Sequence, residues 1–235
     1  MTTGGRQRAL LIRFSGLDGA GKTTQIENLR AVLAQAGLST TLLAFWDDVV
    51  VLSRYREGFV HKVYGSERGI GAPGNPVNRR DKNIRKWYLT IARHGLYLLD
   101  AIHLRLVAAR AVRGAADVVI FDRYVYDELA NLRLHSAASR AFARLIANLV
   151  PRPEVAYLLD ADPEAAVARK PEYPLEFMRQ CRTSYHALAK LLGTMTIIPP
   201  LPLADAKLEV ASRALRALGK DVRQPQAQPD VVRAA

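Results

Sequence analysis

A glycine-rich turn of defined spacing is the part of this chain best able to do chemistry. Gly16 is followed by four residues and then by Gly21, Lys22 and Thr23, which fills the pattern G-x-x-x-x-G-K-[ST] without a mismatch. Glycines let a backbone curve around a compact anion and point its N–H groups inward, and a following helix adds unsatisfied N–H donors. The pattern therefore predicts a phosphate-binding loop.

Lys22 and Thr23 have separate tasks in such a loop. The ammonium group of Lys22 is expected to bridge the β- and γ-phosphates of ATP, and the Thr23 hydroxyl is expected to ligate Mg²⁺. ATP and Mg²⁺ are therefore the predicted cofactors. The residues expected to contact the nucleotide belong to the loop and the first helical turn: Gly16, Leu17, Asp18, Gly19, Ala20, Gly21, Lys22, Thr23 and Thr24.

The flanking residues fit the strand and the helix that a phosphate loop needs. The sequence ALLIRF before the loop is an apolar run of strand length. After the loop, Ile26, Leu29, Leu33 and Ala36 recur at helical spacing. A glycine-rich turn that matched the pattern by chance would not need both neighbours, so we favour the phosphate loop.

Apolar runs of strand length alternate with helical patterns along the rest of the chain. This alternation predicts an α/β, three-layer P-loop NTPase fold with a five-stranded parallel sheet. Four further strands are predicted at 39–45, 117–124, 155–160 and 194–199. Helices are predicted at 84–113 (one long helix or two shorter ones), 125–149, from Asp162 onward, 175–192 and 204–218.

A single P-loop domain is predicted over residues 1–220, because no internal repeat or second core is visible. Residues 46–83 are interpreted as a loop-rich insertion, since 65–83 contains four glycines and two prolines. Residues 221–235 are polar and contain prolines, which predicts a disordered tail.

The composition limits the classes of partner. The chain has 235 residues and a net charge of +12, which suits nucleic acid, an acidic membrane, phosphorylated small substrates or simply solvated basic faces. No nucleic-acid-binding motif is present, so we do not expect nucleic acid as a partner. One cysteine, no apolar run of about eighteen residues and no secretory signal pattern predict a cytoplasmic protein without a membrane partner.

An acid and an arginine follow the third predicted strand. The carboxyl ends of parallel strands meet at one edge of a sheet, so Asp122 is placed to hold Mg²⁺ opposite Thr23. Arg123 is the neighbouring cation. The alternative is that Asp122 and Arg123 form an internal ion pair at the strand end.

Four segments in order along the chain resemble the thymidylate kinase family, whose members transfer the γ-phosphoryl group of ATP to thymidine monophosphate. They are GLDGAGKTTQ, the DRY after the third strand, LLDADPEAAVAR and EFMRQCRTSYHALA, and the resemblance covers roughly residues 10–218. It implies a nucleoside monophosphate kinase-like fold with a five-stranded parallel core, and a homodimer formed through helices beside the sheet.

The resemblance also implies roles for individual residues. Asp18 matches an aspartate of the family's loop that lies near the acceptor and the metal. Lys22 and Thr23 match the phosphate and Mg²⁺ ligands. Asp122 matches the acid associated with the metal, and Arg123 matches the arginine that contacts the phosphates. Asp18, Lys22 and Arg123 are therefore candidate catalytic residues.

The segment at about 162–182 corresponds to the family's lid, which closes over ATP and supplies a cation to the transferring phosphoryl group. No basic residue occupies positions 17–20, so we expect the lid to supply that cation. Arg169 is the first candidate and Lys170 the second, followed by Arg179 and Arg182. A preorganised cation lowers the barrier by stabilising developing negative charge. Arg169 could instead only solvate the end of a helix.

The chain departs from the family pattern after the second strand. The family has Arg-Glu-Pro there, and its arginine meets the monophosphate, whereas this chain has FWDD at 45–48. Acids repel a phosphate dianion but can accept a proton or a hydrogen bond from a sugar hydroxyl. Asp47 or Asp48 could act as such a base, as an acid does in deoxynucleoside kinases, or could simply cap a turn.

A second departure lies in the helix before the third strand. The family carries there an aromatic residue that stacks on thymine and, one turn later, an arginine that binds the monophosphate. Tyr97 lies near the aromatic position, but Ala101 or Ile102 lies near that of the arginine. Arg93 and Arg105, one turn to either side, are the candidate replacements.

These observations predict an ATP·Mg²⁺-dependent phosphotransferase of the thymidylate kinase type, with thymidine monophosphate as the first choice of acceptor. A deoxynucleoside kinase, or a kinase of another small acceptor, is the alternative within enzymes. An ATP-binding protein that has kept the loop without catalysis is the alternative from another class.

Overall fold

The computed structural model of the protein describes residues 8–51 and 87–219. A parallel sheet lies at its centre, with the strand order β2-β3-β1-β4-β5. The predicted five-stranded parallel sheet is thereby confirmed. The strands are β1 (Leu10–Gly16), β2 (Thr40–Ala44), β3 (Val118–Asp122), β4 (Val155–Leu159) and β5 (Thr196–Ile198).

Helices connect the strands and cover both faces of the sheet. A short π-helical turn, Phe45–Val49, directly follows β2. The α-helices are α1 (Lys22–Gln35), α2 (Trp87–Val112), α3 (Val125–Leu129), α4 (Ala137–Leu149), α5 (Pro163–Arg169), α6 (Leu175–Leu192) and α7 (Leu203–Ala217).

The prediction of one helix over 125–149 is wrong. The structure has two helices, α3 and α4, joined by residues 130–136. Arg140 of α4 donates from Nη1 to the carbonyl oxygens of Leu134 (3.2 Å) and His135 (2.6 Å). These bonds satisfy carbonyl groups that a continuous helix would have paired internally, and they stabilise the break.

Apolar side chains alternate along the strands and build a core on each face. Leu11 and Phe121 belong to the core beneath α2, α3, α4 and α6, whereas Ile12 and Phe14 belong to the core beneath α1 and α7. Burial on both faces explains why the central strands are almost continuously apolar. The exception is Arg13, a fully buried arginine on β1.

The ends of β1, β3 and β4 meet at one edge of the sheet. Phe14 pairs with Asp122, and Gly16 pairs with Leu159. This edge carries the predicted phosphate loop and the acid after β3, so the fold places them together.

Several sequence predictions lie outside the described residues. These are residues 52–83 of the loop-rich segment, the start of the helix at 84–86 and the tail at 221–235. The start of the described chain after that segment is helical, and α2 runs unbroken to Val112. Within the described ranges, no helix is long and apolar enough to cross a lipid bilayer.

Candidate active site

The predicted phosphate loop lies between the end of β1 and the start of α1. Gly16, Gly19 and Gly21 have φ angles of 145°, 81° and 83°, which L-amino acids with side chains rarely adopt. A Cβ atom at Gly16 would collide with the carbonyl oxygen of Leu159, and one at Gly19 would lie 2.6 Å from the carbonyl oxygen of Ala166. Glycine is therefore required where the loop packs against β4 and α5.

The N-terminus of α1 opens into this loop. No side chain caps it, and its first turn contains no acidic residue. Thr23 and Thr24 are exposed in that turn. The first N–H groups of a helix have no partner within the helix and carry the positive end of its dipole. The arrangement can therefore hold an anion such as a phosphate group.

Lys22 points back across the loop. Its Nζ donates hydrogen bonds to the carbonyl oxygens of Gly16 (3.0 Å) and Leu17 (2.8 Å), and it is 92% buried, with an exposed fraction of 8%. Burial and then Arg123 lower the pKa of Lys22 to about 8, although Asp18 opposes the shift. With this pKa Lys22 is still mostly protonated at neutral pH, so its ammonium group can bind phosphate oxygens in place of the two carbonyl groups.

Asp18 connects this lysine to the arginine after β3. Its carboxylate forms an ion pair with Arg123 and lies 3.9 Å from the Lys22 ammonium group. Burial alone would raise the pKa of Asp18, but Arg123 and Lys22 outweigh it and hold that pKa below its ordinary value. Asp18 is therefore ionised at neutral pH, and the loop brings one acid and two cations together.

Arg123 is held by unusual backbone geometry. Its φ of 68° makes it the one non-glycine residue with positive φ in the described ranges, and its N–H donates to the Phe14 carbonyl oxygen at 2.9 Å. Burial alone would lower the pKa of Arg123, but Asp127, followed by Tyr185 and Asp18, raises it above the ordinary value. A strained backbone conformation of this kind persists only where surrounding contacts enforce it, and such residues cluster at ligand sites.

Asp122 and Thr23 are the residues predicted to ligate Mg²⁺. Asp122 Oδ1 is buried and has no hydrogen-bond partner among the described residues, as expected for an atom that accepts a ligand. No cluster of three His, Cys, Asp or Glu side chains that could hold a metal occurs within 8–51 and 87–219. Mg²⁺ typically takes one or two carboxylates and completes its shell with waters and substrate phosphates. The residues fit such an ion.

The lid candidates differ in whether they are already paired. Arg182 is engaged, because its Nε and Nη2 donate to the two carboxylate oxygens of Asp160 at 2.8 and 2.7 Å. Asp160 also lies 3.2 Å from His186 Nε2. Burial would raise the pKa of Asp160, but hydrogen bonds from Arg182 and His186 hold it below its ordinary value.

Arg169 is the lid candidate that is not paired with another described residue. Arg179 is paired with Glu164, and Lys170 lies 3.0 Å from Glu172. Arg169 is exposed at the end of α5 and forms no ion pair or hydrogen bond with another described residue. Because α5 contacts the loop at Gly19, the end of this helix is close to the candidate site.

On α2, the candidate acceptor residues do not share one location. Tyr97 is buried in the core, and Arg93 lies one turn before it with its Nε buried and unbonded among the described residues. Arg105 lies elsewhere on the helix. Its Nη1 donates to the Leu149 carbonyl oxygen (2.9 Å), and Leu149 ends the helix that leads into β4. Arg105 therefore faces the opposite edge of the sheet from the loop.

The two acids after β2 have different surroundings. Asp48 Oδ2 accepts the Ala44 backbone N–H at 2.7 Å, so its carboxylate stabilises the turn. Asp47 is exposed and forms no hydrogen bond with another described residue, and Trp46 beside it is 45% exposed. The turn-capping interpretation therefore describes Asp48, whereas Asp47 is available to a ligand.

Sequence reasoning missed residues that hold this region in place. Asp100 of α2 is fully buried and accepts the Val51 N–H at 2.8 Å, and His103 Nδ1 lies 2.6 Å from the Val49 carbonyl oxygen. Asp100 and His103 are three positions apart and therefore share one face of the helix, and this spacing is the sequence pattern that could have indicated them. Asp127, four residues after Arg123, was also missed.

Comparisons with known proteins agree with this architecture, although no family model matches the chain. The thymidylate kinase of Xanthomonas euvesicatoria is 31% identical over 196 residues, covering 76% of this chain and 72% of that relative. The thymidylate kinase of Symbiobacterium thermophilum is 26% identical over 227 residues, covering 92% of each. A crystal structure of thymidylate kinase from Ehrlichia chaffeensis superposes with a TM-score of 0.56 at 16% identity, covering 89% of this chain and 99% of that chain.

The fold is an α/β fold with a five-stranded parallel sheet, like the P-loop fold of thymidylate kinases. The chain belongs to the thymidylate kinase family. The expected family resemblance is thereby confirmed. The homodimer and the lid at about 162–182 stay predictions.

Proposed function

We propose that the protein is an ATP-dependent phosphotransferase that transfers the γ-phosphoryl group of ATP to a nucleoside monophosphate, with thymidine monophosphate as the first acceptor to test. One observation carries the proposal. Lys22 and Arg123 both contact Asp18 of the loop, beside the uncapped N-terminus of α1, and together they are the donors that a polyphosphate needs.

The proposed roles follow from charge and position. Lys22 binds the β- and γ-phosphates after leaving the Gly16 and Leu17 carbonyl groups, and Arg123 neutralises charge on the transferring group. Arg169 supplies the lid cation, since its alternatives are paired. Lys22 and Arg123 are held in a partly buried part of the site, where preorganised charge contributes more than it does in water.

Thr23 and Asp122 are the residues proposed to hold Mg²⁺. When bound, such an ion neutralises phosphate charge and orients the polyphosphate. Asp18 is proposed to position Lys22 and Arg123, because its carboxylate contacts both cations. The acceptor oxygen attacks the γ-phosphorus in line, and ADP leaves.

The exposed carboxylate of Asp47 favours one second candidate, a deoxynucleoside kinase. An acid at the end of β2 is suited to a sugar hydroxyl rather than to a phosphate dianion. Arg93 is the residue proposed to bind the acceptor phosphate if the first candidate is correct. The two candidates therefore differ in whether Asp47 or Arg93 determines the acceptor.

Acceptor-stimulated ADP release separates these functions. The protein would be incubated with ATP, Mg²⁺ and, one at a time, thymidine monophosphate, other nucleoside monophosphates and the matching nucleosides. We expect the largest stimulation with thymidine monophosphate. Stimulation by thymidine alone would favour the deoxynucleoside kinase. Tight ATP binding without stimulation by any acceptor would favour a non-catalytic nucleotide-binding protein.

A further inference from the structure

Asp127 is a buried carboxylate with four neighbouring donors. Its Oδ2 accepts hydrogen bonds from the Ser15 hydroxyl at 2.6 Å and from the Tyr124 backbone N–H at 3.0 Å. Its Oδ1 accepts the Tyr185 hydroxyl at 2.7 Å and lies 3.5 Å from Arg123 Nη1. The four donors come from β1, the segment after β3, and α6, so this one carboxylate joins three parts of the candidate site.

A buried cation lies on the other side of Ser15. Arg13 is fully buried on β1, and its Nη1 donates to the Ser15 hydroxyl at 2.6 Å. Its guanidinium group lies 4.1 Å from the ring centre of Tyr126. Burial lowers the pKa of Arg13 to about 10, with Tyr126 and Asp127 opposing the shift, so Arg13 stays charged at neutral pH.

The charge on Arg13 requires a counter-charge, because an isolated ion in a protein interior is strongly destabilising. No acid contacts its guanidinium directly among the described residues, and its Nε and Nη2 form no hydrogen bond there. Asp127 is the carboxylate connected to it, through the Ser15 hydroxyl that accepts from Arg13 and donates to Asp127. Arg13 and Asp127 therefore neutralise each other across one serine.

Arg123 lies between two acids of different character. The side chain of Asp18 is 27% exposed and belongs to the phosphate loop, whereas that of Asp127 is 3% exposed and belongs to the interior. A phosphate group arriving at the loop would compete with Asp18 for the guanidinium group. Asp127 is too deeply buried to be displaced in the same way, so it can hold Arg123 throughout.

We propose that Asp127 is a positioning residue that aims Arg123 at the phosphate loop, with Arg13 as the buried counter-charge that keeps the Asp127 carboxylate in place. This inference rests on the proposed function, since it assigns Arg123 a role in phosphoryl transfer. The competing explanation is purely structural, because Asp127 also closes a capping box at the start of α3. A cap would stabilise the helix without acting through Arg123.

A double-mutant cycle separates positioning from capping. Asp127→Asn keeps the size of the side chain and a carbonyl oxygen but removes the charge. We expect it to lower kcat on the order of 10²-fold in the otherwise wild-type protein, because a misdirected catalytic group loses much of its effect. In an Arg123→Gln background the same change should alter kcat within about twofold. Equal losses in both backgrounds would overturn the proposal.

The single variant Asp127→Asn leaves Arg13 without its counter-charge and could unfold for that reason alone. Arg13→Met combined with Asp127→Asn removes both buried charges, and neutral replacement of a buried pair is often tolerated. We expect this double variant to fold, as judged by cooperative urea unfolding, and to show the same kcat loss as Asp127→Asn. Full activity in the folded double variant would contradict a positioning role.

Tyr185→Phe offers a milder test with a matched control. It removes one hydrogen bond to Asp127 and should lower kcat severalfold without changing KM for the acceptor. Tyr157→Phe removes a similar buried bond, from its hydroxyl to the Val210 carbonyl oxygen at 2.7 Å, in the core beneath α1 and α7. It should leave kcat unchanged. Equal effects of the two changes would indicate a general loss of stability.

Measurements of nucleotide affinity test the positioning role of Asp127 separately from the proposed function. If the wild-type protein transfers no phosphoryl group, the proposed function fails, and the same cycle can be measured as the affinity for a non-hydrolysable ATP analogue. Asp127→Asn should then weaken binding in the wild-type background but not in the Arg123→Gln background. An affinity loss of the same size in both backgrounds would overturn the positioning role independently.

Discussion

At the phosphate loop the charged side chains contact one another, whereas the candidate acceptor residues Asp47 and Arg93 form no ion pair with another described residue. Lys22, Asp18 and Arg123 form a continuous set of contacts beside the N-terminus of α1. Asp47 lies at the surface, and Arg93 has no hydrogen bond at its buried Nε within the described part of the chain. The donor side of the candidate site is therefore far more fully determined by the described residues than the acceptor side.

This difference follows from what each side has to recognise. A polyphosphate needs N–H donors and cations in a fixed arrangement, which a strand, a glycine-rich turn and a helix supply locally. Acceptor recognition depends on side chains from separated segments, and here the family's Arg-Glu-Pro is replaced by FWDD. Family membership therefore supports the donor chemistry more strongly than it supports a particular acceptor.

The largest effect is expected from Lys22→Ala. Loss of the ammonium group should lower kcat about 10³-fold, because a preorganised charge at the phosphates is removed. Steady-state kinetics would measure it, with urea unfolding as the control for the fold. Turnover at the wild-type rate would show that the phosphate loop takes no part in catalysis. The donor side of the site would then be no better determined than the acceptor side.

A smaller loss, about 10²-fold in kcat, is expected from Arg169→Ala. Arg179→Ala is the matched control, since Arg179 is an exposed arginine already paired with Glu164 and should tolerate replacement. Kinetics on both variants with saturating ATP would test the lid assignment. A loss confined to Arg179→Ala would move the catalytic cation from α5 to α6.

Asp47→Asn tests which acceptor the residues after β2 favour. Removal of the exposed negative charge should lower KM for thymidine monophosphate about two- to fivefold, which is the size of a solvent-exposed charge interaction. Asp48→Asn is the neighbouring control, because the Asn oxygen can still accept the Ala44 N–H. If Asp47→Asn instead abolished transfer to thymidine while thymidine monophosphate stayed inert, the deoxynucleoside kinase would be the better assignment.

The last expected effect is on stability rather than on turnover. The pKa of Lys22 is about 8 in the folded protein and 10.5 ordinarily, so the folded state binds fewer protons between these values. The unfolding free energy of the wild-type protein should therefore rise from pH 8 to pH 10.5 by about 2.5 kcal/mol relative to Lys22→Met. Urea unfolding of both proteins at several pH values measures this difference. A difference that does not change with pH would show that folding does not lower the pKa of Lys22.

Local patterns were enough to predict much of the fold and the loop. The phosphate loop, its flanking strand and helix, and the five parallel strands follow from spacing and apolar runs. Counting along α2 predicted the helical turn of Arg105 but not its hydrogen bond to the Leu149 carbonyl oxygen, because periodicity does not report which neighbouring helix a turn contacts. The break between α3 and α4 depends on Arg140 binding back to carbonyl groups, and no periodicity reports such a contact.

The interior contacts of the site could not be predicted in the same way. Ser15 and Asp127 are separated by 112 positions along the chain, and Asp18 and Arg123 by 105. Only the sheet order, which places β1 between β3 and β4, brings these residues together. A buried arginine in an apolar strand is unfavourable when its charge is isolated. Arg13 is connected through Ser15 to the Asp127 carboxylate, which is remote in the sequence.

Tracking the γ-phosphoryl group itself tests the central claim most directly. ATP carrying radioactive phosphorus in the γ position would be incubated with the protein, Mg²⁺ and thymidine monophosphate, and the products would be separated by chromatography. We expect label in thymidine diphosphate, and about 10³-fold slower labelling when Lys22 is replaced by Ala. Label that stays in ATP, or appears only as inorganic phosphate, with every nucleotide and nucleoside acceptor tried would contradict the central claim.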